Sequence, residues 1–344
     1  MMPIFPALIR TSNLIYPGTD FKARLKRTRY CLRGIAFYPQ MAAWLRFLSS
    51  QNLESASAKY PLFYNKLQRP YLSRHLRISQ RLLALQHHYK FLKRHFSTES
   101  FERLFATGME LARIQTKDHG VFELHLGYSE ISEREGELML SLKESGTGGV
   151  IYFLAFSVRK FPRHRTEIFI GGLQGRKTAP KETIVEVTRA MHGLRPKALL
   201  LFALQEMCFH WGISSLRGVS NRLHVHRGCK ERRKLLASYD SFWEESGGLL
   251  LSDGTYVLPA RFVPRELDSI KPNKRNLYKK RYELMSGISE QIKQALQNFR
   301  PSPTSVSVRP HSLNAPGSVA VSETSRPVLL HRWARQRKQL GAAA

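Results

Sequence analysis

The stretch that decides the fold runs over residues 167–221, EIFIGGLQGRKTAPKETIVEVTRAMHGLRPKALLLFALQEMCFHWGISSLRGVSN. It opens with an apolar, β-branched and aromatic run that ends in glycines, which is typical of a strand. Pro196 begins a segment in which apolar residues repeat at helical spacing until Gly212, and residues 213–219 are again strand-like. Strand, helix and strand predict an α/β crossover, and ligand sites concentrate at such strand-to-helix junctions.

In the chain before this stretch, the spacing of the apolar residues changes once, from a helical to a strand-like period. Four short runs between residues 121 and 172 are separated by turn signals and predict an antiparallel meander. The run 150–158 is almost entirely apolar, so we expect it to be a central strand covered on both faces. Residues 21–96 are helix-like and very basic, with Glu54 as their single acid.

These patterns predict an α/β (α+β) fold, in which a basic N-terminal helical region is followed by a mixed sheet with helices. We expect a helical region over residues 14–110, an α/β core domain over 120–290, and a disordered basic tail over 291–344. A hairpin is expected around Asp253 and Gly254.

The charge balance restricts the partners. Lys and Arg number 55 against 26 Asp and Glu, a formal net charge of +29. Such a field favours an anionic ligand, an anionic lipid surface or nucleic acid. No helix-turn-helix, RNA-recognition or zinc pattern supports nucleic acid, which ranks last. The longest apolar run, 198–204, is shorter than the roughly 20 residues of a membrane span, and the N-terminus lacks the order of an export signal. We expect a cytoplasmic protein, either free or peripheral at the inner membrane.

Eight short motifs resemble a known family. They are PYL (70–72), HHY (87–89), IGGLQG (170–175), HGLRPK (192–197), VSN (219–221), YDSFWEESGG (239–248), GTYVLP (254–259) and KRNLYKKRYELM (274–285). In this order, over about residues 14–290, they resemble the VirK/YbjX family of bacterial proteins. The resemblance implies a domain of unknown function associated with virulence, envelope remodelling and tolerance of cationic antimicrobial peptides. It transfers no catalytic residues.

Residues 193–221 are also similar to the cofactor-binding core of the Gcn5-related N-acetyltransferases. That resemblance implies an acyl-CoA whose pyrophosphate lies at the start of the 196 helix and whose pantetheine arm follows a splayed strand end. The candidate cofactor-binding residues are Gln174, Gly175, Gly193, Arg195, Lys197 and Asn221. HGLRPK has one glycine where that family has several, and an additional helix over 180–191 precedes it. The alternative that Gly193 and Pro196 mark an ordinary turn and helix start stays open.

Acyl transfer needs groups that move protons. Tyr239 and Glu206 are the candidate catalytic residues, with Glu244 as an alternative acid. Tyr239 also fits an aromatic core cluster. His224-x-His226 with Cys229 close by is too sparse for a metal site, and we predict none.

Two functions therefore remain. The first is an acyl-CoA-binding N-acyltransferase-like protein. The second is a non-enzymatic accessory protein that binds anionic membrane surfaces through the basic helices over 21–96 and 274–285. Parallel strands that separate beside Pro196 would favour a cofactor cleft, whereas a closed sheet there would favour a scaffold.

Overall fold

Helices precede a single sheet in this chain. The computed structural model describes residues 4–116, 120–160, 165–176, 181–226 and 238–301. The first six helices are α1 (Ile4–Ile15), α2 (Phe21–Ala36), α3 (Tyr38–Ser50), α4 (Glu54–Lys59), α5 (Ile78–His95) and α6 (Thr98–Ala106). A 3-10 helix, Pro61–Gln68, lies between α4 and α5.

The sheet follows from residue 109. Its strands are β1 (Met109–Gln115), β2 (Val121–Tyr128), β3 (Leu138–Glu144), β4 (Val150–Lys160), β5 (Thr166–Gly175), β6 (Leu216–Gly218), β7 (Leu249–Leu250) and β8 (Tyr256–Leu258). The other α-helices of the described residues are α7 (Lys181–Ala190), α8 (Pro196–His210), α9 (Tyr239–Glu245) and α10 (Pro272–Asn298). The predicted mixed α/β (α+β) fold with a preceding helical region is confirmed.

The strand order is β1-β2-β3-β4-β5-β6-β8-β7. The first five strands form an antiparallel meander, of which β2 to β5 are the four predicted strands, and β4 is buried over Ile151–Arg159, as expected of a central strand. β5 and β6 are parallel, and α7 and α8 form their crossover. β7 and β8 form the hairpin around Asp253 and Gly254.

β5 and β6 pair over a short distance and then separate. Their register runs from Ile168 opposite Leu216 to Ile170 opposite Gly218. One further hydrogen bond joins the Val219 amide to the Ile170 carbonyl. β5 continues to Gly175, so its last residues lie beyond the end of β6. The expected parallel pairing is present, and the last residues of β5 have no partner on β6.

Buried polar contacts join the N-terminal helices to the sheet. Lys66 Nζ lies 2.7 Å from Glu137 Oε1, and both side chains are buried. The Val158 amide donates to Nδ1 of His88 on α5, at 3.1 Å. These contacts fix the helical region over β4, because a buried charge or polar group without its partner is costly.

Several boundaries differ from the sequence-based expectation. β6 is three residues long, whereas the pattern of residues 213–219 predicts a longer strand, because the pairing with β5 starts only at Leu216 and ends at Gly218. β1 was not among the predicted strands. It begins three residues after the end of α6, so no long turn separates its apolar residues from those of the helix. Residues 291–298 belong to α10, while residues 302–344 of the predicted tail lie outside the described residues. The division into domains stays a prediction. In the described ranges, no helix has the length and apolar character needed to cross a membrane.

Candidate functional site

A buried carboxylate, Glu135, lies against β5 where β5 and β6 separate. Glu135 follows the short 3-10 helix Glu130–Ser132 and is 1% exposed. Its amide donates to the Ser132 carbonyl at 2.8 Å, and Ser132 Oγ donates to its Oε2. Nε2 of Gln174, near the end of β5, lies 3.2 Å from the same oxygen. The turn and the strand therefore hold this carboxylate with two neutral donors.

Two glycines of β5 provide the space for Glu135. Gly171 is the extra residue of a β-bulge, because Ile170 pairs with Phe156 and Gly172 with Ala155. A Cβ atom on Gly171 would overlap the Glu135 carbonyl oxygen, and one on Gly172 would overlap the Glu135 carboxylate. The IGG triplet therefore serves a close approach of two backbones.

Two imidazoles approach the carboxylate from the chain that follows β6. His224 Nε2 lies 3.1 Å and His226 Nε2 3.6 Å from Glu135 Oε1. The His226 amide donates to Nδ1 of His224, so a neutral His224 carries its proton on Nε2. Although close to the carboxylate, this Nε2 has no hydrogen bond of acceptable geometry. The His224 side chain is buried, whereas the His226 side chain is 34% exposed and leads to solvent.

Tyr239, the first residue of α9, completes the group. Its ring stacks on His224 with centroids 5.1 Å apart, and its hydroxyl accepts from the Leu173 amide at 3.3 Å. Burial, and then the nearby charge of Glu135, hold the pKa of Tyr239 well above its usual value. Glu135, Gln174, His224, His226 and Tyr239 are called the Glu135 cluster below.

Residues 70–74 clamp the two segments that carry this cluster. The Leu72 amide donates to the Arg134 carbonyl at 2.8 Å, and the Arg74 amide donates to the Leu223 carbonyl at 2.9 Å. Arg134 also donates to the Val225 carbonyl at 2.9 Å. Leu72 has φ +57°, a left-handed conformation that is costly for a branched side chain. The PYL motif thus fixes the distance between the Glu135 turn and the histidines.

The start of α8 carries positive charge, as predicted. Arg195 Nη2 lies 2.8 Å from Glu245 Oε2 at the end of α9, and Lys197 Nζ lies 3.9 Å from the same atom. Lys197 also sits 4.4 Å over the Phe242 ring. Burial, followed by the charge of Arg195, lowers the pKa of Lys197. Both cations are thus gathered beside α9.

The two candidate glycines lie in different elements. Gly175 ends β5 and packs against the Tyr152 ring. Gly193 has φ +76°, which favours glycine, and precedes α8 in a turn held by Arg281. Arg281 Nε and Nη2 donate to the His192 carbonyl at 3.0 and 2.9 Å. The Arg281 side chain of α10 therefore stabilises the turn that precedes α8.

Of the two remaining candidate residues, Asn221 lies next to the Glu135 cluster and Glu206 lies away from it. Asn221 joins β6 to α9, because its Oδ1 accepts from the Tyr239 amide and its own amide donates to Asp240 Oδ1. Glu206 accepts from Ser289 in the contact between α8 and α10. It lies about 15 Å along α8 from Pro196, by helix rise, and does not join the Glu135 cluster.

Comparison with known proteins places this geometry in a family. The model described as "Protein of unknown function (DUF535)" matches residues 19–294. The chain belongs to this family. A DUF535 relative, "Uncharacterized protein YbjX" of Escherichia coli (strain K12), is 32% identical over 80% of this chain and 85% of its own length. The predicted VirK/YbjX membership is confirmed.

Two further likenesses are more distant. "Membrane protein LapB" of Mannheimia haemolytica is 24% identical over 63% of this DUF535 chain and 93% of its own length. Among solved structures, a point mutant of a "cAMP-binding acyltransferase from Mycobacterium smegmatis" has a TM-score of 0.30 at 10% identity. The likeness covers 58% of this chain and 60% of that one.

The structure of this DUF535 member brings together some predicted residues and adds others. Gln174 and Tyr239 meet in the Glu135 cluster, with Asn221 positioning Tyr239. Sequence reasoning missed Glu135, and it considered the two histidines only as metal ligands with Cys229, which lies outside the described residues. The signal that could have found Glu135 is the glycine pair inside a buried strand, because something must pack closely there.

Proposed function

We propose that this protein is an acyltransferase that moves an acyl group from acyl-CoA to an amine. The observation that carries the proposal is the Glu135 cluster itself. A carboxylate, two imidazoles and a phenol converge beside β5 where its pairing with the parallel strand β6 ends. Buried titratable groups gathered at a strand separation are a recurring mark of active sites.

The start of α8 is the proposed place for the cofactor phosphates. Its first amides and the helix dipole attract anions, and Arg195 and Lys197 add two charges. α9 connects this place to the cluster, because Tyr239 is its first residue and Glu245 its last. The two ends lie about 9 Å apart along the helix. A pantetheine arm that links phosphates to a thioester spans such a separation.

The edge of β5 beyond Ile170 is the proposed track of the pantetheine arm. β6 ends opposite Ile170, and the Leu173 amide donates to the Tyr239 hydroxyl rather than to a neighbouring strand. An extended ligand with amide groups binds such an edge as an added strand does. Gln174 would then lie beside the thioester.

The chemistry follows from the exposure of each group. The amine attacks the thioester carbonyl, a C–N bond forms, and the C–S bond breaks. His226, which reaches solvent, takes the proton of the amine, and Glu135 stabilises the resulting imidazolium. The imidazolium then returns this proton to the leaving thiolate, which restores His226. Tyr239 keeps its own proton, because burial raises the pKa of its hydroxyl, and donates a hydrogen bond to the sulfur.

Ligand binding tests the proposal first. The full chain is titrated with acetyl-CoA, octanoyl-CoA and palmitoyl-CoA while its thermal unfolding is followed. A ligand at a hundredfold excess over its Kd stabilises a protein by about 2.7 kcal/mol, so Tm must rise with concentration. An unchanged Tm with all three ligands at millimolar concentration would contradict the proposal. The non-enzymatic accessory protein would then be the better interpretation.

Turnover tests it next, by release of free CoA thiol in the presence of amines. Glu135→Gln should retain acyl-CoA binding and lower thiol release by about 10²-fold or more, because His226 loses its counter-charge. The matched control is Glu290→Gln, an exposed carboxylate on α10 that pairs with Lys293. Equal activity of the two variants would remove Glu135 from the reaction.

A further inference from the structure

Helix α2 has an apolar stripe that points to solvent. Phe21, Leu25, Leu32 and Ile35 are 81%, 39%, 61% and 46% exposed. At 3.6 residues per turn these four lie within about 40° of Phe21 on either side. A surface helix normally turns its apolar stripe toward the core, so an apolar stripe that faces solvent indicates an interaction surface. These four residues are called the α2 stripe.

The opposite side of α2 makes the contacts that hold it in the fold. Ala23, Tyr30 and Gly34 are buried and lie roughly 180–220° around the helix from Phe21. The side chain of Leu8 on α1 fills the space above Gly34, so that any Cβ there would overlap it. Tyr30 bonds to Thr11 at 3.0 Å. The α2 stripe is therefore not needed for packing within this part of the chain.

Basic residues border the stripe. Lys22, Lys26, Arg29 and Arg33 are exposed and lie about 80–140° from Phe21, between the stripe and the buried side. Arg24 borders the stripe on its other side. α2 contains no acidic residue. Across the described ranges, no ion pair engages a basic side chain of this helix.

A small basic cavity opens at this border. It has a volume of about 170 Å³ and is lined by Lys26, Arg29 and Arg33 together with Tyr16, Asn65 and Gln68. Asn65 is 6% exposed and donates to the Tyr16 hydroxyl at 2.9 Å, so the floor is built from fixed polar groups. Three cations around a polar floor suit a phosphate.

We propose that the α2 stripe and this cavity dock the protein on an anionic lipid bilayer. The apolar side chains enter the interface, the basic border attracts the surface, and a lipid phosphate occupies the cavity. Charge argues against a second copy of this chain, because two basic faces would repel. Nucleic acid would use the cations but leave Phe21 and Leu32 without a role. The surface shares no residue with the Glu135 cluster, so it stands independently of acyl transfer.

Vesicle sedimentation tests the surface with the full chain. The protein should sediment with vesicles of phosphatidylcholine mixed with phosphatidylglycerol, and high salt should release it. The variants Phe21→Ser/Leu32→Ser and Arg29→Gln/Arg33→Gln should each weaken binding roughly tenfold or more. Matched controls are Leu250→Ser, an exposed leucine on β7, and Arg261→Gln/Arg265→Gln, two exposed cations outside the basic helices, which should bind as the unaltered chain does.

Four outcomes would overturn the docking proposal. They are equal binding to phosphatidylcholine alone, equal loss in the control variants, binding of glycerophosphate by a chain that does not sediment with the mixed vesicles, and a dimer that Phe21→Ser/Leu32→Ser abolishes. The third would indicate a soluble phosphate ligand, and the fourth a second copy of the chain. Circular dichroism of each variant shows that the fold is retained, since the altered side chains are exposed.

Discussion

Gly171 has no side chain, and this absence allows the Glu135 turn to pack directly on β5. Gly171→Ala should lower the free energy of unfolding by about 1–3 kcal/mol, because the Cβ atom meets a backbone carbonyl that cannot rotate away. Urea unfolding measures the change. Gly287→Ala is the control, since no atom lies within 4 Å of its Cβ position on α10.

The control should move in the opposite direction. An alanine inside an exposed helix turn stabilises by about 0.5–1 kcal/mol relative to glycine. If Gly171→Ala were as harmless as Gly287→Ala, the Glu135 turn would not pack on β5 as described. The candidate site would then lose the contact that holds its carboxylate in place.

Single residues of the site were predictable only where they lay in a pattern. Tyr239 was found because it begins an aromatic run, and Gln174 because it ends a strand. Glu135 lies in a turn, SEREGEL, where acids are ordinary, and its burial depends on strands that are distant in sequence. Nothing local distinguishes such a residue from a solvated one.

Among the elements, the start of α8 has a built-in competitor for an anionic ligand. Glu245 accepts from Arg195, which lowers the pKa of Glu245, so it is charged at neutral pH. Glu245→Gln should therefore strengthen acyl-CoA binding several-fold, because Arg195 and Lys197 then face the phosphates without a carboxylate. Isothermal titration measures the affinity.

Stability should respond little to the same change. Arg195 and Glu245 are about half exposed, and such ion pairs contribute about 0–1 kcal/mol. Weaker acyl-CoA binding by Glu245→Gln, with unchanged unfolding, would place the phosphates elsewhere. Arg195→Gln is the complementary variant and should weaken binding.

Elements with a strong period were predictable, and those set by tertiary contacts were not. Pro196 and Gly212 marked α8 correctly, and the apolar run 150–158 marked β4 as central. The predicted β6 was too long at both ends, because residues 213–215 and 219 share its pattern but add only single hydrogen bonds to β5, from the Ile168 amide to the Ser215 carbonyl and from the Val219 amide to the Ile170 carbonyl. Its last apolar residue, Val219, instead supplies a carbonyl to Trp243.

For the whole molecule, the buried pair Lys66–Glu137 makes the helices and the sheet depend on each other. The same carboxylate accepts from Tyr89 of α5, and the Glu137 amide donates to Ser157 of β4 at 2.9 Å. Removing one partner of such a pair leaves an uncompensated buried charge. Lys66→Met should therefore cost about 3–5 kcal/mol of unfolding free energy.

Because this pair connects the two regions, the loss should appear in both at once. Hydrogen exchange in increasing urea should open peptides from α5 and from β4 together, in the unaltered chain and in Lys66→Met alike. Lys293→Met is the control, because the Lys293–Glu290 pair is exposed and contributes about 0–1 kcal/mol. Separate transitions for α5 and β4 would show two independent folding units. The Glu135 cluster would then depend on the sheet alone, although residues 70–74 clamp its two segments.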